Sequence, residues 1–142
     1  MSLRIANIQD FDLVFSMAKK FAEASGYSKH MEEDKIKAII TDLLNGPQEQ
    51  KIIILHGEEG LLAGLVAPFT FGTALMATEV AWWVEPDARG KNVGAELMDA
   101  FEFWAKKVGC SLVIVSSIDD KVGKYYEKRG YKLHERAYLK EV

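Results

Sequence analysis

The sequence is poor in cysteine, histidine and proline, and each scarcity excludes a class of protein. Its 142 residues include one cysteine, Cys110, which excludes a disulfide framework and metal clusters built from several thiolates. The three histidines lie far apart and show no HExxH spacing, so we expect no metal site. Only 3 prolines, with 49% hydrophobic residues, exclude a disordered or collagen-like chain.

Long apolar runs and a large excess of one charge are also absent. The longest apolar stretch, residues 61–71, is broken by Gly64 and Pro68 and is too short to span a bilayer. The N-terminal residues lack the apolar core of a signal peptide, so we expect a cytoplasmic protein. With 18 basic and 21 acidic residues the net charge is −3, which argues against a nucleic-acid partner or a membrane partner.

The chain length fits a single domain over residues 1–142. Apolar residues at three- and four-residue spacing predict helices, of which the first begins at an Asp10 cap and ends at Gly26. The other predicted helices cover residues 31–45, 93–108 and 120–129. Strands are predicted at the opening LRIAN segment and at residues 51–56, 61–69, 75–84, 111–116 (fully buried) and 131–139.

This order of elements predicts a mixed fold of the α/β (α+β) class. Three consecutive strands with short connections favour an antiparallel meander. The strand, helix and strand across residues 76–116 form a parallel β-α-β crossover. Its first loop then lies at the carboxyl end of a strand, where open α/β sheets bind ligands.

That loop, residues 85–96, carries the strongest functional signal in the chain. Pro86 ends the strand, and a turn with Arg89, Gly90 and Lys91 leads directly into a helix. Unpaired backbone N–H groups and the positive end of a helix dipole then meet at one point, which suits a phosphate. The glycine spacing fits neither a dinucleotide-binding fingerprint nor a P-loop.

Two segments, residues 84–94 and 125–131, resemble motifs of the GNAT superfamily of N-acetyltransferases. The family's acetyl-CoA loop, Q/R-x-x-G-x-G/A after a strand ending in V-x-P, is similar to Val84-Glu85-Pro86 and the segment from Arg89 to Gly94. Its central glycine is replaced by Asn92, a residue type that tolerates left-handed backbone angles. The later aromatic signature is similar to residues 125–131, YYEKRGY.

The resemblance implies a mostly antiparallel central sheet flanked by about four helices, and direct acetyl transfer from acetyl-CoA to a primary amine. Tyr126 takes the place of the acid that protonates the departing thiolate, and Glu79 is the candidate general base. The Val84 backbone would pair with the pantetheine amides, and Arg89 would add positive charge. Cofactor contacts are further expected from the N–H groups of Gly90, Lys91, Asn92, Val93, Gly94 and Ala95, and from Asp119, for which a helix cap is a sufficient alternative.

Other interpretations remain open from the sequence. The chain could be a non-catalytic acyl-CoA-binding or protein-interaction module with the same fold, or a nucleotide-binding α/β domain. The acceptor, a small-molecule or peptide amine, has no sequence signal. Exposed edge strands near the C-terminus are compatible with a homodimer that involves residues 136–142.

Overall fold

The computed structural model describes residues 2–142, and within them five strands form one sheet in the order β1-β2-β3-β4-β5. The first four strands are antiparallel, whereas β4 and β5 are parallel and joined by a helical crossover. The predicted mixed, mostly antiparallel sheet is therefore confirmed. The strands are β1 (Leu3–Ile5), β2 (Lys51–His56), β3 (Gly60–Pro68), β4 (Leu75–Val84) and β5 (Leu112–Ile114).

Four α-helices within residues 2–142 flank the sheet, as predicted. Gly26 ends the first helix with a φ of 79°. Asp10, however, does not cap that helix through its side chain, which corrects the prediction. Its carboxylate is held by Arg4 at 2.6 Å and accepts the N–H of Asn7, so it is engaged elsewhere. The helices are α1 (Phe11–Ser25), α2 (Glu33–Leu44), α3 (Val93–Lys107) and α4 (Asp120–Lys128).

The sheet is covered on both faces, and β2 shows how one strand serves both. Ile52 and Ile54 pack on the side of α3 and α4, whereas Ile53 and Leu55 pack on the side of α1 and α2. Successive side chains of a strand point to opposite faces, so an unbroken apolar strand fits this central position. No helix within residues 2–142 has both the length and the apolar character needed to cross a bilayer.

A bulge in β4 decides which side chains face α3 and α4. Strand β3 pairs Ala63 with Ala81 but Gly64 with Glu79, so Val80 is an extra residue without a partner. The extra residue reverses the alternation of side chains beyond it. As a result Glu79 and Trp82 lie on the same face of the sheet, although they are three residues apart.

The C-terminal part of the chain differs from the prediction. Residues 131–142 form no strand, so the expected last strand over 131–139 is wrong. A strand exists only through hydrogen bonds to a neighbour, and no backbone bond of residues 132–142 is present in the described chain. Strand β5 is also shorter than predicted and only partly buried, with Leu112 43% exposed, because it lies at the edge of the sheet.

Gly64 is the tightest point of the core, and we expect its replacement by alanine to destabilise the protein. A Cβ at this position would lie 2.3 Å from Cε1 of the buried Phe101. Such overpacking costs about 1–3 kcal/mol, which urea unfolding would measure as a lower free energy of unfolding. Gly123→Ala in α4 is the matched control, since its nearest atom lies at 3.4 Å. A Gly64→Ala protein as stable as the wild type would contradict this packing.

Candidate active site

The loop after β4 presents a group of backbone N–H donors without acceptors. Gly90 has a φ of 84°, and Asn92, the N-cap of α3, has a φ of 65° and makes no side-chain cap bond. In the described chain the N–H groups of residues 90–95 have no hydrogen-bond acceptor, and the first bond of α3 runs from Glu96 to Asn92. This geometry, with the exposed Lys91 beside it, fits a phosphate group.

Glycine is favoured at positions 90 and 94 of this loop for two different physical reasons. A Cβ at Gly90 would meet no atom within 4 Å, so only its positive φ favours glycine. At Gly94 a Cβ would lie 2.9 Å from Cζ2 of Trp82. Glycine at position 94 therefore lets the first turn of α3 pack closely on the β4 tryptophan.

Arg89 and Val84, both predicted to bind the cofactor, contact each other. The Arg89 Nε donates to the Val84 carbonyl at 3.0 Å, and its guanidinium lies 4.9 Å from the centre of the Trp83 ring. Trp83 packs on the α1–α2 side of the sheet. The Arg89 cation is thus held on that side at the start of the loop, while the adjacent N–H groups face no protein acceptor.

Strands β4 and β5 diverge at the point where the predicted catalytic residues meet. Their pairing ends at Thr78 and Ile114. Beyond it the Ser116 N–H lies 3.5 Å from the Glu79 carboxylate, and the Tyr126 hydroxyl donates to the Ser116 carbonyl at 3.3 Å. The backbone N–H of Ser116 therefore contacts Glu79, and its backbone carbonyl contacts Tyr126. We call the gap between β4 from Glu79 onward and residues 115–118 the β4–β5 cleft.

Helix α4 holds Tyr126 in this place through aromatic packing. Asp119 caps the helix by accepting the Val122 N–H at 2.8 Å, so its predicted capping role is confirmed. Tyr126 is 5% exposed, and its ring centre lies 5.7 Å from that of Trp82. The neighbouring Tyr125 stacks on the same tryptophan at 5.6 Å.

The end of α4 is tied to α3 by two side chains of the aromatic motif. Arg129 contacts Asp99 and Glu102, each at 2.7 Å. The Tyr131 hydroxyl donates to the second Glu102 oxygen at 2.6 Å. Arg129 and Tyr131 thus fix the end of α4, the helix that carries Tyr126, against α3.

The surroundings of Glu79 and Tyr126 change the acidity of both groups. Burial raises the pKa of Glu79 to about 7, although the Ser116 N–H and the Tyr126 hydroxyl partly offset this effect. Burial, followed by the charge of Glu79, raises the pKa of Tyr126 well above its ordinary value. Near neutral pH the site therefore combines a partly ionised carboxyl with a protonated phenol, the properties expected of a general base and a hydrogen-bond donor.

Two features of this site had no direct sequence signal. Ser116 acts through its backbone, which any residue could supply. The face on which Trp82 lies is decided by the bulge in β4, which no local pattern reveals. The buried Nε1 of Trp82 and the buried hydroxyl of Tyr125 have no hydrogen-bond partner among residues 2–142.

A separate cavity of about 650 Å³ opens on the α1–α2 side of the sheet. Neither Glu79 nor Tyr126 lines it. Glu85 accepts hydrogen bonds there from Lys20 and from the Trp83 indole. Burial raises the pKa of Glu85, but these two partners outweigh it, so the pKa lies below its ordinary value. The lining residues are Lys20, Glu23, Ala24, Trp83, Glu85, Pro86 and Asp87.

Comparison with known proteins identifies the family of the chain. The model of the acetyltransferase (GNAT) family matches residues 14–131, which include the loop, Glu79 and Tyr126. The chain belongs to this family. No curated protein matches the GNAT chain at a significant level.

Solved structures share the GNAT fold over the whole length of the chain. A GNAT family acetyltransferase of Staphylococcus aureus is 20% identical, with 100% of both chains covered and a TM-score of 0.72. An aminoglycoside 6'-N-acetyltransferase of Acinetobacter haemolyticus is 16% identical, with coverage of 100% and 99% and a TM-score of 0.76. A second aminoglycoside N-acetyltransferase, solved with CoA, is 14% identical, with coverage of 99% and 93% and a TM-score of 0.75. At these identities the likeness concerns the fold.

The partly buried Glu79 carboxyl makes the stability of this protein depend on pH. Its pKa of about 7 in the folded chain exceeds the ordinary 4.5, so the folded state binds more protons between these values. Its contribution to the free energy of unfolding is fully present below about pH 4.5 and is lost as pH rises through about 7. Gln at position 79 does not titrate. We therefore expect the free energy of unfolding of Glu79→Gln, relative to that of the wild type, to increase from about pH 5 to about pH 8.

Urea unfolding of both proteins at about pH 5 and at about pH 8 measures this difference in the free energy of unfolding. Glu58→Gln is the matched control, because Glu58 is exposed in the β2–β3 turn. If the wild type and Glu79→Gln changed in parallel with pH, the raised pKa of Glu79 would be wrong.

Proposed function

We propose that the protein is an acetyl-CoA-dependent N-acetyltransferase that transfers the acetyl group directly to a primary amine. The observation that carries the proposal is the convergence of Glu79 and Tyr126 on the backbone of Ser116, at the point where β4 and β5 diverge. The acetyl-CoA thioester supplies an activated acyl group, and the residues of the chain bind it, orient it and manage the protons. Membership of the GNAT family supports acetyl transfer in general.

The loop after β4 is the proposed site for the pyrophosphate of acetyl-CoA. The N–H groups of residues 90–95 have no acceptor in the described chain, and the positive end of the α3 dipole adds to their field. Lys91 supplies an exposed cation next to them. Beyond Thr78, β4 loses its pairing with β5, so its backbone is available to the pantetheine amides as in strand addition. Asp119 stands near the start of α4 as a further candidate contact.

Glu79 is the proposed general base. An amine with a pKa of about 10.4 is almost entirely protonated at neutral pH and cannot attack a thioester in that form. The raised pKa of Glu79, about 7, brings the carboxyl closer to the amine in proton affinity. Each unit by which the two pKa values approach lowers the cost of proton transfer by about 1.4 kcal/mol.

Tyr126 is the proposed partner of the departing thiolate. Its raised pKa keeps the hydroxyl protonated at neutral pH. A thiol has a reference pKa of about 8.5, so complete transfer of the phenol proton to the thiolate is uphill. The hydroxyl therefore acts first as a hydrogen-bond donor to the developing negative charge, and such preorganised donors stabilise a transition state strongly in a buried site.

The acceptor is a primary amine of a small molecule or a peptide. The connection between α1 and α2 carries the exposed Tyr27 and His30, with the half-buried Met31 beside them, and Phe21 lies half-buried on α1. These side chains are the proposed wall of the acceptor side. They carry no concentrated charge that would select one acceptor.

Ligand binding and turnover test the function together. We expect acetyl-CoA at 100 times its Kd to raise the free energy of unfolding by about 2.7 kcal/mol, whereas NAD and ATP have no comparable effect. Addition of primary amines to the complex should release free CoA thiol, which a thiol reagent detects. Stabilisation without turnover of a broad amine panel would favour the non-catalytic acyl-CoA-binding module. Absence of stabilisation by both CoA and acetyl-CoA would contradict the proposal.

Tyr126→Phe separates chemistry from binding. We expect kcat to fall about 10²-fold, because the donor to the thiolate is lost, while the Kd for acetyl-CoA stays unchanged. Tyr125→Phe is the matched control, since it removes a neighbouring hydroxyl that has no partner among residues 2–142. Unchanged turnover in Tyr126→Phe would remove this residue from the mechanism.

A further inference from the structure

His56 is a buried titratable side chain that the proposed reaction does not use. It is the last residue of β2 and shares the α3 side of the sheet with Ile52 and Ile54. The residue is 6% exposed, and its Nδ1 has no hydrogen-bond partner among residues 2–142. Buried polar atoms in proteins are nearly always hydrogen-bonded, so this nitrogen points to a bond that forms in another state of the ring.

Two carboxylates face this ring from two different elements. Glu59, in the turn between β2 and β3, lies 3.6 Å from Nδ1, and Glu96, in the first turn of α3, lies 3.5 Å from Nε2. Both distances exceed that of an ordinary hydrogen bond. The strands on either side of β2 place Leu3 and Gly60 opposite His56, and neither residue carries a side-chain charge. The imidazole therefore lies between two negative charges.

The protonation state of the imidazole decides how many of these contacts become hydrogen bonds. A neutral ring has one N–H group, whereas the charged ring has two. Charged His56 can donate to Glu59 and Glu96 at once, whereas the neutral ring turns a lone pair toward one of the two carboxylates. A buried charge needs partners of this kind. Imidazole groups change their charge between about pH 5 and about pH 8, so the two arrangements exchange near neutral pH.

Glu96 connects this ring to the loop after β4. It directly follows the N–H groups of residues 90–95, and its own N–H makes the first hydrogen bond of α3, to the Asn92 carbonyl. Its side chain is 49% exposed, so a negative charge lies in the same helical turn that would receive an anion. Like charges repel each other, and a Glu96 carboxylate without a cationic partner therefore weakens anion binding at this turn.

We propose that His56 is a positioning residue for acetyl-CoA binding, which in its charged form holds the Glu96 carboxylate and offsets its negative charge beside the pyrophosphate. This inference rests on the proposed binding of acetyl-CoA by the loop after β4. Charged His56 draws Glu96 toward the β2–β3 turn, where Glu59 holds the other side of the ring. The affinity for acetyl-CoA then falls as pH rises and His56 loses its proton. By linkage, binding of the anion is accompanied by uptake of a proton.

Titration calorimetry with dephospho-CoA tests this role. The probe carries the pyrophosphate but lacks the phosphate monoester of CoA, which itself titrates near pH 6. From about pH 5.5 to about pH 7.5 we expect the Kd of the wild type to rise about 2- to 5-fold more than that of His56→Gln, the usual effect of one charge at a helix end. Both proteins keep Glu79, so its titration cancels in the comparison. His134→Gln, which replaces an exposed histidine, is the matched control and should behave like the wild type.

The same titrations measure the proton uptake directly. In two buffers of different ionisation enthalpy, the difference in binding heat gives the number of protons taken up by the complex. We expect this number to be smaller for His56→Gln than for the wild type and for His134→Gln.

A second variant keeps the buried ring and makes the test independent of its packing. Glu96→Gln removes the charge of a half-exposed side chain, and we expect it to bind dephospho-CoA about 2- to 5-fold more tightly than the wild type at about pH 7.5. It should also show the weak pH dependence of His56→Gln. Glu58→Gln is the matched control, because it removes a carboxylate from the exposed β2–β3 turn and not from α3.

The outcomes separate this role from the cofactor site itself. An equal pH dependence in the wild type and His56→Gln overturns the role of His56, and so does a Glu96→Gln protein that binds no more tightly than Glu58→Gln. A wild type that binds neither dephospho-CoA nor CoA at any pH overturns the proposed cofactor site and this inference with it.

Discussion

The bulge at Val80 is the constraint on which the candidate active site depends. It reverses the side-chain alternation of β4, so that Glu79 and Trp82 share the face covered by α3 and α4. The opposite strand accommodates this geometry with Gly64, pressed against Phe101. A regular β4 would place Glu79 and Trp82 on opposite faces. One extra residue thus brings a carboxyl, a tryptophan and a tyrosine together.

Where β4 and β5 diverge, a side-chain contact takes the place of backbone pairing. Where the strands pair, the backbone groups bind each other; beyond Thr78 a side chain, Glu79, approaches the Ser116 N–H instead. The carboxyl lies in a desolvated place, which raises its pKa. Unfavourable burial of a titratable group is typical of functional sites, and here Tyr126, which acts on the Glu79 carboxyl, is itself held by packing against Trp82.

Much of the fold was predictable from local patterns. The bounds of β2 and β4 agree with their β-rich runs. Amphipathic spacing located the first three helices, and an aspartate cap with a terminal glycine located the fourth, each within a few residues. The loop at residues 85–96 and Tyr126 were predicted as site elements, because each belongs to a short contiguous sequence motif. The C-terminal strand was predicted wrongly, because residues 131–139 have strand-like composition but no partner in the chain. The Arg89–Trp83 contact and the Ser116 bridge depend on tertiary geometry that no local pattern encodes.

The close contact between Gly94 and Trp82 has a mechanical consequence. The same indole ring lies under the first turn of α3 and against Tyr125 and Tyr126 of α4. A well-packed interior transmits small displacements instead of absorbing them. A displacement of the first turn of α3 therefore also moves the ring against which Tyr126 packs. The first turn of α3 and the phenol of Tyr126 are thus coupled through a single side chain, Trp82.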